Sequence, residues 1–200
     1  MTPGPIGPGV TGDAVLQPRE VVIGSRVGFA GKRVRVRVDA VRLPSGRESQ
    51  REVVEHPGAV AILPVTADGQ VLLIRQYHHA IGRELLGLPA GTREPGELPA
   101  ATAARELIEE TGYRAEHLTE LATFATSPGY TDEWMVLFRA DGCRPTGGGP
   151  NPDELIAVTP VPLAAIPDLL APGPDQIMDA KTLIGLLWLL RDEQRRAMPR

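Results

Sequence analysis

Residues 58–77 read GAVAILPVTADGQVLLIRQY. Two runs rich in Val, Ile and Leu are separated by Ala67-Asp68-Gly69, a combination that turns the chain. A half-solvated strand alternates apolar and polar residues, whereas a continuous apolar run is buried on both faces. The stretch therefore predicts paired strands at the centre of a sheet. A chain of 200 residues, 42% of them hydrophobic, can bury such a sheet in one domain with a small extension.

The formal charge of −4 and the pI near 5.6 speak against binding nucleic acid by neutralising many phosphates, because that footprint is basic. A small anionic ligand bridged by metal stays compatible with it. Cys143 is the only cysteine, so neither an intrachain disulfide nor a cysteine-based zinc site can form, which fits a reducing compartment and predicts a cytoplasmic protein. The first residues, MTPGPIGPGVTGDAV, lack a basic region followed by an apolar run and read as a disordered Pro/Gly-rich arm over residues 1–19. The longest apolar run, LIGLLWLL, is far short of the roughly 20 residues of a spanning helix. No membrane segment is expected.

Between the arm and the central strands, residues 26–56 alternate charged and apolar residues and break at Pro44-Ser45-Gly46, the pattern of a β-hairpin. Lys32, Arg33, Arg35 and Arg37 fall on that alternation and predict a solvated strand face. A helix is predicted over about Pro99 to Thr111, with Pro in its first turn and Gly112 as its stop. Ala100, Ala103, Ala104 and Leu107 share a stripe at helical spacing that would face the sheet. Strands are expected around LTELATFAT, EWMVLFRA and ELIAVTPVPL, with SPGYTD and GCRPTGGGPNP as loops, and the tail QIMDAKTLIGLLWLLRDEQRR has helical periodicity. Strands and helices mix without strict alternation, which points to an α+β fold or a mixed-sheet sandwich.

The predicted helix raises a physical question. Glu106, Glu109 and Glu110 stand three and four residues apart on one edge, where like charges cost roughly 0.2–0.5 kcal/mol per pair. Pyrophosphate chemistry supplies a reason for the crowding. Hydrolysis of an anionic diphosphate needs hard divalent cations, and Mg²⁺ prefers carboxylate oxygens while keeping waters. The wider spacing runs Gly91, five residues, Glu97, seven residues, then Arg105-Glu106-Leu107-Ile108-Glu109-Glu110-Thr111-Gly112-Tyr113. It matches the Nudix box, G-x5-E-x7-R-E-U-x-E-E-x-G-U, at all seven fixed positions. At ordinary residue usage such a match arises on the order of once in 10⁸ to 10⁹ windows. Tyr113 replaces the usual aliphatic residue, a packing variation.

The chain thus resembles the Nudix hydrolases. The resemblance implies an α/β/α sandwich around a mixed sheet at 57–197, preceded by an N-terminal antiparallel hairpin region at 20–56. It implies a site in which Glu106 and Glu110 are the main Mg²⁺ (or Mn²⁺) ligands, Glu109 assists, the carbonyl of Ala90 completes the shell, and Glu97 and Arg105 brace loop and helix. LLIRQY, LLGLPAG and SPGYTDE further resemble the ADP-ribose pyrophosphatases, in which a proline at the place of Pro128 is a marker. Arg75, His78, Gly91, Pro128 and Tyr130 are then the substrate-contact set. Glu133 is the positional match for the acid that orients or deprotonates the attacking water, with Glu154, beside Asp153, as second candidate and Glu109 as a further catalytic carboxylate.

Two positions depart from that group. His78, followed by His79, stands where an arginine often contacts phosphate, and Gly87 replaces a frequent glutamate. Arg75, Arg83 or an arginine of the hairpin is then left to supply the charge. The expected reaction is hydrolysis of ADP-ribose to AMP and ribose 5-phosphate. The alternatives are another nucleotide sugar, a dinucleoside polyphosphate or an oxidised nucleoside triphosphate. A silent binding module is disfavoured because every box glutamate is kept. Relatives of this group form homodimers, so a homodimer acting on a small nucleotide diphosphate is implied, with no nucleic-acid or membrane partner.

Overall fold

The structure is a computed structural model that describes residues 19–32, 34–148, 155–171 and 179–197. Most of the expected arm, Arg33, Asp153 and Glu154 lie outside the described residues. The chain divides into two compact units, Met1–Val54 and Glu55–Arg200.

In the first unit, β1 (Val21–Ala30), β2 (Arg35–Arg42) and β3 (Glu48–Glu55) form a sheet in that order. The expected hairpin is β2–β3, closed where Gly46, at φ 82°, donates its N–H to Leu43 O. β1 adds a third strand, antiparallel to β2, with irregularities after Val22 and Val27. On the basic face expected to be solvated, Lys32 and Arg35 are exposed, and Arg37 is half-buried against Asp39. Its Nε lies 2.9 Å from Asp39 Oδ2, and Asp39 is buried. The Ser25 hydroxyl and then Arg37 hold the Asp39 carboxyl below its usual pKa. A sheet in which β2 is the middle strand leaves little of that strand to water.

The second unit carries the central strands. β4 (Ala59–Thr66) and β5 (Gln70–His78) are joined by the predicted turn, with Gly69 at φ 79°. There follow β6 (Arg83–Gly87), β7 (Ala90–Thr92), α1 (Pro99–Thr111), β8 (Tyr113–Arg114), β9 (His117–Ala125), β10 (Trp134–Pro145), β11 (Ile156–Pro162), α2 (Ile166–Leu169) and α3 (Ala180–Ala197). The sheet runs β11-β5-β4-β10-β8, with β6 on β5, β7 on β4 and β9 on β10. β4 and β10 are parallel, and β4–β5, β4–β7, β5–β6, β5–β11, β9–β10 and β8–β10 are antiparallel, so the sheet is mixed.

Alternation along β4 decides the layers. Ala59, Ala61 and Leu63 join Val71, Leu73, Leu88, Leu137, Ile166, Leu186 and Leu189 on the face covered by α2 and α3. Val60 and Ile62 join Leu72, Ala103, Leu107 and Phe138 on the face covered by α1. The fold is thus the expected α+β class, a sheet sandwiched between helices. Each fully buried Leu or Ile stabilises it by roughly 1.5–3 kcal/mol.

α1 has the predicted bounds. Leu98 provides no side-chain cap, and Gly112, at φ 73°, donates its N–H to Ile108 O and stops the helix. The stripe differs from the expected one. Ala100 and Ala104 are exposed, and the buried residues are Thr102, Ala103, Leu107, Glu110 and Thr111. The helix is turned so that one carboxylate enters its buried face. Tyr113 packs against the same cluster.

Candidate active site

The strand register explains why Gly91 sits beneath α1. Ala90 pairs with Ala61, which faces α3, so Gly91, paired with Val60, faces α1. A Cβ on Gly91 would lie 1.9 Å from Glu106 Cδ. The position is therefore reserved for glycine by the carboxylate that occupies the space. One turn further along α1, Glu110 is 6% exposed, and its Oε2 accepts the Ala90 N–H at 2.8 Å. Helix and strand are tied by a charge-assisted bond.

Arg105 organises the rest of the edge. Its Nε and one terminal nitrogen donate to the two oxygens of Glu97, both at 3.0 Å. Its other terminal nitrogen reaches Glu106 Oε1 at 2.8 Å and Glu109 Oε2 at 2.9 Å. Arg105, followed by the Glu94 N–H, holds the Glu97 carboxyl down to about 2, against a weaker opposing effect of burial. The guanidinium in turn holds its proton more tightly than usual, first through Glu97. Arg93 donates to the Glu97 carbonyl, so the segment between β7 and α1 is fastened from both ends. Much of the repulsion among the glutamates is offset by this one cation.

Among the described residues, no three His, Cys, Asp or Glu side chains already converge as a metal-ready group. Glu106 and Glu109 turn to Arg105, and Glu110 turns to the Ala90 amide. What fits a hard cation is the chemistry of the donors. Three carboxylates lie on one helix edge beside a backbone stripped of side chain at Gly91, an oxygen-only set of the kind Mg²⁺ prefers.

The loop after β9 leads into β10, whose register fixes its distance from β7 in the sheet. Thr92 and Met135 both register with Ala59, from opposite sides of β4, so they lie two strand spacings apart, about 10 Å. Glu133 is two residues from Met135 and half-buried. Its Oε2 accepts the Thr126 hydroxyl at 2.6 Å, and its Oε1 lies 3.5 Å from His56 Nδ1. Pro128 and Tyr130 are exposed in the same loop, in a tight turn where Tyr130 N–H bonds Ser127 O.

Arg75 and His78 do not converge. Leu72 faces α1 and Leu73 faces α3, so alternation along β5 sends Arg75 to the α3 side and His78 to the α1 side. Gly87 has a packing reason, since a Cβ there would meet Thr182 Oγ1 at 3.2 Å. That hydroxyl accepts the Leu88 N–H at 2.9 Å. His56, Thr126 and Arg93 were missed by pattern reading. His56 ends the alternating run and Thr126 ends the LTELATFAT strand, so only their hydrogen bonds set them apart, as they do for Arg93.

Comparison with known proteins agrees with this geometry. The NUDIX domain model matches residues 55–181. Methanol dehydrogenase activator of Bacillus methanolicus is 39% identical over 165 residues, covering 82% of this chain and 89% of that protein. ADP-ribose pyrophosphatase of Bacillus subtilis is 39% identical over 171 residues, covering 84% and 91%. A solved ADP compounds hydrolase superposes with a TM-score of 0.78 at 25% identity, over 90% of this chain and 97% of that one. With the box carried on β7 and α1 as described, the chain belongs to the NUDIX domain family.

Proposed function

We propose that this chain hydrolyses the pyrophosphate bond of ADP-ribose to AMP and ribose 5-phosphate, with Mg²⁺ as cofactor and Mn²⁺ as a substitute. The observation that carries the proposal is the seating of the Glu106 carboxylate against Gly91, beside Glu110 on the buried edge of α1. It is supported by the likeness to proteins named ADP-ribose pyrophosphatase and ADP compounds hydrolase.

Glu106, Glu109, Glu110 and the carbonyl of Ala90 would hold the metal, which when bound neutralises phosphate oxygens and acidifies water. Arg105 shares its hydrogen bonds among Glu97, Glu106 and Glu109, so the carboxylates stay aligned. Glu133 orients the attacking water from the loop after β9. Glu154 is the second candidate. Tyr130 and Pro128 border the substrate, Tyr130 offering an exposed ring on which a base can stack. His78 and Arg75, on opposite sides of β5, leave the phosphates to different partners, and a changed phosphate grip is the reason to keep another nucleotide sugar as second reading.

The same reading makes residues 20–56 a dimerisation region. β1 exposes Val21, Val22, Ile23, Val27 and Phe29 at 40–59%, a run of apolar side chains that a second copy could cover. A homodimer in the cytoplasm fits that strand and the free buried Cys143.

The test is product formation from ADP-ribose, other nucleotide sugars, dinucleoside polyphosphates and nucleoside triphosphates with Mg²⁺. A clear kcat/KM preference for ADP-ribose is expected. A preference for another compound would replace the substrate and leave the carboxylate edge as the site.

A further inference from the structure

The two ends of the β9–β10 connection and a segment far earlier in the chain meet at the Glu133 carboxylate. The Thr126 hydroxyl, at the end of β9, donates to Oε2 at 2.6 Å. The His56 ring, leading into β4, stands 3.5 Å from Oε1. That ring is itself fixed, because the same nitrogen, Nδ1, accepts the Gly58 N–H at 3.1 Å, so it bounds Oε1 by contact and donates no hydrogen bond to it. The backbone around it is fastened too. His56 N–H donates to Asp132 Oδ1 at 2.8 Å, Thr126 N–H to Glu133 O at 3.2 Å, and Glu133 N–H to Thr131 Oγ1 at 3.3 Å.

A glutamate on a loop ordinarily samples several rotamers, and restricting it has an entropic cost. Here one oxygen is hydrogen-bonded, the other is bounded by an imidazole, and both flanking amides are engaged. None of these groups belongs to the carboxylate edge of α1.

We propose that His56 and Thr126 are positioning residues for Glu133, holding its carboxylate in the orientation the reaction uses. This rests on the reading of Glu133 as a working carboxylate of the site. Misplacing a reacting group by about 1 Å can cost roughly 10²-fold in rate. Partial release by removing one side of the clamp should cost less.

The experiment measures kcat and KM on the best substrate of the panel, with saturating Mg²⁺, for Glu133→Gln, His56→Ala, Thr126→Val and Thr126→Ser. The double variants pairing Glu133→Gln with His56→Ala and with Thr126→Val are included. Thermal melts confirm folding, and near-isosteric Thr126→Val carries the test if His56→Ala does not fold. His56→Ala and Thr126→Val should each lower kcat about tenfold at unchanged KM. Thr126→Ser, which keeps the hydroxyl, should restore it. Neither change should lower kcat further in the Glu133→Gln background, since groups acting through one residue are not additive.

If Glu133→Gln is impaired while both single variants keep wild-type kcat, the positioning role is overturned and Glu133 keeps its own. Losses that multiply in the double variants overturn it equally. Wild-type kcat in Glu133→Gln removes the reading of Glu133, and the positioning role with it.

Discussion

The two faces of the central sheet are built from the same strands and used differently. On the α3 face, the cluster around Leu63, Leu137, Leu186 and Leu189 is apolar, and the buried Thr182 hydroxyl is engaged by the Leu88 amide. On the α1 face, the helix brings Thr102, Glu110 and Thr111 into the buried layer along with Ala103 and Leu107. A glycine permits the close approach on each side. A Cβ on Gly185 of α3 would meet Leu88 Cδ1 at 2.6 Å, whereas one on Gly91 would meet the Glu106 carboxylate. One glycine makes room for hydrocarbon and the other for charge. The lesson is that the α3 face supplies stability, and the α1 face gives up some of it to hold carboxylates in place.

The sharpest way to break this division is to damage each face and look for the wrong symptom. Leu186→Ala should destabilise the fold by about 2–5 kcal/mol through lost burial and a cavity. Turnover per folded molecule should be unchanged. Chemical denaturation alongside steady-state kinetics checks both halves. Gly91→Ala should do the reverse, cutting kcat/KM by about 10²-fold as Glu106 is displaced, equivalent to about 2.7 kcal/mol of barrier. Its melting temperature should stay near wild type, and a large drop there would show that Gly91 serves packing instead.

These contrasts also measure what the sequence made legible. β4 and β5 stand out because their runs are apolar on both faces, and α1 because Pro99 and Gly112 mark its ends. β6, β7 and β8 do not stand out. Five, three and two residues long, they are set by their partners and not by a pattern of their own. The alanine stripe misled because periodicity counts apolar residues, and the helix turns instead to bring Glu110 to the Ala90 amide. The Arg37–Asp39 pair was not legible because alternation shows which residues share a strand face and not which of them pair. The box residues were legible through their spacing, while the clamp of His56 and Thr126 on Glu133 leaves no trace in composition.

A subtler prediction concerns acid. The Arg105 ion pair lowers the Glu97 carboxyl from an ordinary 4.5 to about 2, so its contribution is fully present above 4.5 and is lost as pH falls toward 2. The gap in melting temperature between wild type and Glu97→Gln should be widest at neutral pH and close across that window. A gap that does not change with pH would mean the brace acts by shape and not by charge. The smallest expected effect lies at Cys143 on the α1 face. Burial, aided by Asp141, pushes its thiol up to about 11, outweighing the Val65 amide. Alkylation at pH 8 should be slow in the native protein and fast once unfolded. Rapid native labelling would show that this edge of the α1 face opens.

The division of labour is tested most directly by the rate of ADP-ribose hydrolysis as a function of Mg²⁺ concentration, compared between wild type, Glu110→Gln and Leu186→Ala. The account predicts that Glu110→Gln loses most turnover and needs more Mg²⁺ for what remains, while Leu186→Ala follows the wild-type curve per folded molecule. Wild-type turnover in Glu110→Gln at both limiting and saturating Mg²⁺ would contradict it.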